Sequence, residues 1–293
     1  MQTLNIIGAG RVGQTLGRLW QQSGVFVIQD VLTNSAGSAQ AACDFIGAGH
    51  PVKTLAQMRP ADVWMLAVPD AQIAAAAIAL QVWPTLLAKA VVAPATHQQP
   101  LAFHCSGAQS SALLAPLADL GWQTASAHCI LSFASAEAAI QQFPGTACAL
   151  EGDASAIVTL KTAFIAIEAR CFEVQSKDKL LYHAAAVFAT NFLPVIQGVA
   201  EDAWRASGVP QDLLPGLRVA LLNHAVANIT SMGPAGALTG PAARGDVAAI
   251  AKQAAAVTQW DAEAGAAYEA LSALALRMAK ATNETKATSA SSH

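Results

Sequence analysis

Six residues near the start of the chain, Gly8-Ala9-Gly10-Arg11-Val12-Gly13, have the types and spacing to bind a dinucleotide pyrophosphate. They follow an apolar, strand-like run at 4–7 and open a helix-period segment. In that setting Gly8 permits a tight turn and Gly10 lets a pyrophosphate approach the backbone. Gly13 allows the helix to pack closely on the strand, and the helix N-terminus attracts the anion. Taken alone, such a motif is equally a plain structural turn. The end of the second strand then decides which dinucleotide fits. A carboxylate there would hold a ribose 2′-hydroxyl, whereas small polar and basic groups would suit a 2′-phosphate. Asp30 is followed by apolar Val31 and Leu32, so it falls inside the strand, and the strand end proper reads Thr33-Asn34-Ser35. That favours NADP over NAD, with Arg11 placed to reach the adenosine phosphate. Val68 and Pro69 close another apolar run, either beside the cofactor or simply at the start of the next helix.

Proton chemistry has its best candidates further on. Lys179 and His183 are four residues apart and share a helix face, with Asn191 two turns beyond His183. Polar groups on an otherwise apolar helix need partners or face a cavity. A lysine whose pKa is lowered by burial can act as a general acid near neutrality. An exposed Lys179 in the first turn and a core hydrogen bond to His183 would satisfy the same pattern. Two strands end in His-Cys pairs, His104-Cys105 before Ser106-Gly107-Ala108, and His128-Cys129. The loop at 105–108 could offer N–H groups and a hydroxyl to a substrate carboxylate or carbonyl. No elbow motif supports a cysteine nucleophile, and zinc is disfavoured because adjacent strand residues point to opposite faces. Satisfied core residues and a plain turn are the simpler alternative. In the glycine- and proline-rich stretch 233–246, Arg244 is the sole cation. It suits an anionic substrate, a partner subunit or the surface.

The elements that must position these residues follow from pattern and composition. The 293 residues are 54% hydrophobic and only 12% charged, with a net charge of −3. Soluble proteins usually carry about 25% charged residues. Alanine, the best helix former, supplies much of the apolar fraction. This composition excludes general disorder, and the charge leaves no nucleic-acid footprint. Residues 1–175 alternate apolar runs at 4–7, 25–32, 62–68, 101–104, 124–128, 147–150 and 171–174 with helical segments at 12–22, 36–46, 71–81 and 154–169. A break at Pro84 and a further element beginning at 88–92 complete the set. Such alternation predicts a mostly parallel sheet covered on both faces. From residue 176 only long helices follow, over about 177–207, 211–231, 246–259 and 261–281. A domain boundary is therefore expected near Gln175, with helices over 176–281 and a disordered tail over 282–293.

Residues 180–200 carry no charged side chain and are long enough to span a bilayer. Their His183, Asn191, Pro194 and Gln197, and the lack of a flanking basic cluster, favour a buried central helix and no membrane. Five scattered cysteines without a Cys-x-x-Cys pair, and an N-terminus without a charged region or cleavage site, favour a reducing, cytoplasmic setting.

The glycine motif at 8–13, the segments 66–70 and 104–108, the helix at 182–191 and the segment 238–246 together resemble a bacterial family. Its members join a Rossmann-like N-terminus to a helical domain of unknown function. That family is similar in turn to the group containing pyrroline-5-carboxylate reductase, 3-hydroxyisobutyrate dehydrogenase and 6-phosphogluconate dehydrogenase. The resemblance implies an α/β Rossmann-type doubly wound parallel sheet followed by an all-α domain like the C-terminal domain of 6-phosphogluconate dehydrogenase. It also implies an NAD(P)-dependent oxidoreductase moving hydride between nicotinamide and a C=O or C=N carbon of a small substrate. Hydroxyacid members of the group carry Lys-x-x-x-Asn after the Rossmann domain, the lysine being the general acid/base; here Lys179-x-x-x-His183 has that spacing with histidine in place of asparagine. By that resemblance Lys179 would move the proton, His183 would orient or relay it, and Ser106 and Gly107 would hold substrate; Asn191 and Arg244, from their places in the helical half, are further substrate-binding candidates. A homodimer through the helical domain is implied as well. The rival reading is a scaffold that binds a dinucleotide or a partner without catalysis.

Overall fold

A computed structural model describes residues 1–88 and 99–290. The chain divides into two compact units, Met1–Phe188 and Ala189–His293. The first unit runs β1 (Gln2–Ile7), α1 (Arg11–Ser23), β2 (Phe26–Leu32), α2 (Ala36–Ile46), β3 (His50–Val52), β4 (Val63–Leu66) and α3 (Asp70–Ala88). It continues through β5 (Leu101–His104), α4 (Ala115–Ala118), β6 (Gln123–Cys129), α5 (Ala136–Gln142), β7 (Ala147–Gly152), α6 (Ala154–Ile165), β8 (Arg170–Glu173) and α7 (Lys179–Ala186). The eight strands form one sheet in the order β3-β2-β1-β4-β5-β6-β7-β8. Only the β6–β7 pair is antiparallel.

Parallel strands must be covered on both faces, and two buried clusters do this. Fully buried Trp20 on α1 meets Phe26, Phe103 and Phe164 edge-on and donates its Nε1–H to the Ala163 carbonyl at 3.0 Å. A second cluster is built on Trp64, Trp83 and Trp122. Asp30 lies inside β2, fully buried, and takes Arg59 Nη2 at 2.6 Å and the Arg59 N–H at 2.7 Å. It ties β2 to the loop before β4. Asp30→Ala is expected to cost about 2 kcal/mol in chemical denaturation, the value of charge-assisted hydrogen bonds, while leaving dinucleotide affinity unchanged.

Several expectations are corrected. The break between units falls after Phe188 rather than near Gln175, because Lys179 on α7 is buried within the first unit. Helix α3 continues through Pro84 to Ala88, since one missing backbone donor shortens the hydrogen-bond ladder without ending it. The rest of the element expected at 88–92 lies outside the described residues. The helix expected over 154–169 ends at Ile165, and the chain turns at Glu168 with φ of 65°. Short β3 had too few residues to show a period.

The second unit contains α8 (Phe192–Ala206), α9 (Leu214–Ala237), α10 (Gly240–Arg244), α11 (Val247–Trp260) and α12 (Ala262–Ala290). Helix α9 is broken at Gly233, whose φ is 72° and ψ 167°. Residues 282–290, expected to be disordered, continue α12, where Lys280 and Glu284 pair one turn apart. The expected buried central helix is not found. Ser176–Ala206 is long and apolar enough to cross a membrane, yet none of its most apolar stretch is buried, and Leu180 and Leu181 are 70% and 76% exposed. Among the described apolar residues of the second unit only Leu214, Ile250 and Ala254 are buried. Its helices therefore close almost no core of their own.

Candidate functional site

The turn after β1 builds an open cradle beside the end of β4, where the strand order reverses direction. Gly8 has φ of 83°, and a Cβ on it would lie 2.7 Å from the Ala67 carbonyl oxygen. A Cβ on Gly13 would lie 2.6 Å from the Gly8 oxygen, whereas nothing stands within 4 Å of the same position on Gly10. Gly8 thus makes the turn, Gly13 seats α1 against it, and Gly10 leaves the helix N-terminus open to an anion. In front lies a cavity of about 590 Å³ lined by Gly8, Ala9, Gly10, Arg11, Val12, Thr33, Asn34, Val68 and Pro69, all expected from sequence.

Gly13 and Ser35 do not line it. Gly13 is buried under the turn, and the Ser35 hydroxyl caps α2 by accepting the Ser38 N–H at 3.1 Å. Ser38, which sequence reading missed, takes its place on the wall, with its Oγ 2.6 Å from Thr33 Oγ1. Its position three residues after the cap was the available signal. Gln72 and Phe133 were also missed. Among the described residues no acidic side chain lines this cavity. An open cradle that a side chain at 10 would fill, with hydroxyls and an amide at the strand end, fits a dinucleotide.

A smaller cavity of about 220 Å³ adjoins the first, since Val12 and Phe133 line both. Its polar wall is Asp70, Ser106, Gly107, His128 and His183. Gly107 is packed between the histidine rings: a Cβ on it would fall 2.6 Å from His183 Nδ1 and 2.8 Å from His128 Nε2. His183 Nδ1 is buried without a hydrogen-bond partner. His128 Nδ1 is 2.8 Å from the Tyr182 hydroxyl, so Nε2 is the ring nitrogen left for the cavity. Burial, then the neighbouring His183 and Lys179, push the His128 imidazole down to about 4. Burial pushes the Tyr182 phenol up, so it stays protonated.

His128 gives a pH prediction. In an unfolded chain its imidazole titrates near 6.5, against about 4 in the fold. Between these values the unfolded chain binds the extra proton, so this contribution to stability is complete above pH 6.5 and disappears as pH falls through 4. Thermal melts are expected to drop between pH 7 and pH 5, with a shallower drop in His128→Gln.

Other expected groups have structural duties. The Ser106 hydroxyl donates to Asp70 Oδ2 at 2.7 Å and accepts the N–H groups of Ala108 and Gln109 at 3.2 and 3.0 Å. It shapes its own loop and has little capacity left for substrate. Buried His104 uses both ring nitrogens, with Nδ1 accepting the Ser106 N–H and Nε2 facing the Ser110 carbonyl. The Cys105 thiol is pushed up to about 12 by burial, which leaves no reactive thiolate near neutrality. Among the described residues no three His, Cys, Asp or Glu side chains are grouped as metal ligands.

Lys179 stands one layer behind the small cavity and does not line it. Its side chain is 1% exposed, and its Nζ donates to the Ser106 carbonyl at 3.1 Å and to Ser126 Oγ at 2.5 Å. Glu151, its cross-layer counter-ion at 4.0 Å, accepts from Ser111 N–H, Ser111 Oγ, Ser126 Oγ and Ser176 Oγ. Burial alone would raise the Glu151 carboxyl, but these hydrogen bonds outweigh it and hold the group below its usual range. Burial lowers the Lys179 ammonium, opposed by Glu151 and Asp70. Glu151 was missed by sequence reading, although a lone carboxylate in the apolar run of β7 was a signal. Asn191 and Arg244 belong to the second unit, and neither lines these cavities.

Comparisons with known proteins agree with this architecture. Residues 2–129 match the Rossmann-like domain, and residues 146–275 match a domain of unknown function, DUF2520. No curated protein matches the sequence. Among solved structures, protein TM1727 from Thermotoga maritima is 23% identical, with 96% of this chain and 100% of that chain covered and a TM-score of 0.72. An imine reductase from Myxococcus stipitatus in complex with NADP+ is 16% identical, covering 95% and 94%, with a TM-score of 0.61. A Plasmodium falciparum pyrroline carboxylate reductase with NADP bound is 11% identical, covering 95% and 98%, with a TM-score of 0.55. These likenesses show the fold, a mostly parallel α/β domain followed by a helical one.

Proposed function

We propose that this chain, a Rossmann-like domain joined to DUF2520, is an NAD(P)-dependent oxidoreductase acting on a C=O or C=N carbon of a small molecule. The observation that carries the reading is the junction of two cavities, a glycine cradle opening through Val12 and Phe133 onto a small pocket walled by histidines. A dinucleotide bound in the cradle would supply or accept a hydride at its nicotinamide end. The N–H groups at the start of α1 hold the pyrophosphate, with Arg11 beside them. Thr33, Asn34 and Ser38 favour a 2′-phosphate over a 2′-hydroxyl, hence NADP over NAD. Val68 and Pro69 flank the passage towards the small cavity.

In that cavity Gly107 keeps the wall flat, and His128 presents Nε2 to the substrate with its other nitrogen held by Tyr182. His183 shares the wall. Lys179, which the family resemblance makes the proton donor, acts instead as a positioning residue: it holds the Ser106 carbonyl and balances Glu151. The helical unit, with so few buried apolar side chains, completes its core against a second copy of the chain. The protein works as a homodimer in the reducing cytoplasm, away from membranes.

Calorimetric titration with NADPH and NADH tests the cofactor, and loss of reduced-nicotinamide absorbance over a carbonyl and imine panel tests turnover. The reading expects tighter binding of NADPH and consumption with at least one class. Binding of neither dinucleotide sinks it. Binding without consumption by any member of the panel favours the non-catalytic scaffold.

A further inference from the structure

The small cavity carries information about what enters it. Of the described residues that line it, Asp70 is the only one with a charged side chain, and that charge is negative. The nearest buried cation, Lys179, is turned away, its Nζ occupied by the Ser106 carbonyl and Ser126 Oγ. Two imidazoles complete the polar wall. A carboxylate-bearing substrate would bring a second negative charge against Asp70 with no cation on the wall to receive it, a like-charge contact that binding sites avoid.

We propose that this cavity takes a small, carboxylate-free, positively charged nitrogen group, a protonated imine in one direction of the reaction and its amine product in the other. The inference rests on the oxidoreductase reading above and narrows it. Asp70 Oδ2 accepts the Ser106 hydroxyl at 2.7 Å, which fixes the carboxylate at the cavity edge and leaves Oδ1 for the ligand's N–H. His128 Nε2, with no hydrogen-bond partner among the described residues, accepts a second N–H when Nδ1 donates to the Tyr182 oxygen. The His128 imidazole is uncharged at neutral pH, as an acceptor for a cation must be.

The chemistry balances without an acid on the wall. A reduced nicotinamide bound in the cradle would supply hydride to the iminium carbon and be left oxidised, and the C=N π pair would become the lone pair of a neutral amine with no proton moved in that step. The amine afterwards takes a proton from water. Reduction of a ketone would instead need a proton delivered to the developing alkoxide, and the buried Lys179 is not placed on the wall to give it.

The test is calorimetric titration with pyrrolidine, lactate and cyclopentanone, run on the protein alone and again with saturating NADP+. Pyrrolidine, protonated at neutral pH, is expected to bind more tightly than the other two. Asp70→Asn, whose amide oxygen can still accept the Ser106 hydroxyl, is expected to weaken pyrrolidine roughly tenfold or more. Lactate or cyclopentanone binding as well as pyrrolidine, no pyrrolidine binding in either state, or an unchanged affinity in a folded Asp70→Asn protein would each overturn the proposal. If that variant does not fold, the wild-type order of the three ligands decides. A missing heat for NADP+ itself would count against the cofactor reading, whatever pyrrolidine does.

Discussion

Gly10→Asp is expected to abolish dinucleotide binding while leaving the fold intact. The position has φ of −73° and ψ of −164°, which any residue adopts, and nothing lies within 4 Å of its Cβ direction. The added carboxylate therefore costs little in stability and stands where the pyrophosphate must approach. Like charges in contact at a binding site cost several kcal/mol, so NADPH affinity should fall at least about a hundredfold by calorimetry. The control is Gly8→Ala. Its positive φ and its 2.7 Å approach to the Ala67 oxygen make it lose stability as well as affinity. A Gly10→Asp protein that binds NADPH as before would mean the cradle holds no phosphate.

Lys179→Met is expected to cost about 3–5 kcal/mol of folding stability, the usual consequence of leaving a buried carboxylate without its counter-ion. Glu151 would keep its serine partners but lose the only cation within 4.0 Å among the described residues, and its carboxyl would rise towards protonation. The variant should therefore regain part of its stability as pH falls, the opposite of the His128 trend. Adding Glu151→Gln should restore much of the loss, because the remaining neutral groups can be satisfied by hydrogen bonds. Denaturant melts of the single and double variants across pH measure this. An exposed lysine would show almost no change, and a lysine serving only the chemistry would lose turnover with no loss of stability.

The geometry of the glycine motif was legible because it is local. Strand, turn and helix N-terminus are adjacent in the chain, so residue order alone places Gly8, Gly10 and Gly13. The alternating first half was legible for a similar reason, since each β–α unit repeats the same two periods. The small cavity was less so. His128 and Tyr182 are brought together from β6 and α7, and Gly107 matters only because two rings meet beside it. Pattern reading put Lys179 and His183 on one helix face, but could not say that one turn of helix would set them in different layers. The Glu151 pairing across β7 and β6, Ser126 opposite Glu151, depends on an antiparallel register that the parallel pattern before it concealed. The apolar helix over 176–206 misled for a reason of scale: its composition asks for burial, which a single copy of the chain does not provide.

A crystal structure of the protein grown with NADP+ is the most direct test of the proposed dinucleotide site. The pyrophosphate is expected on the N–H groups following Gly10 and the 2′-phosphate beside Thr33 and Ser38. The nicotinamide ring is expected at the mouth of the small cavity, facing Gly107 and His128. A dinucleotide bound elsewhere, or one whose nicotinamide end turns away from that cavity, would contradict the proposed site.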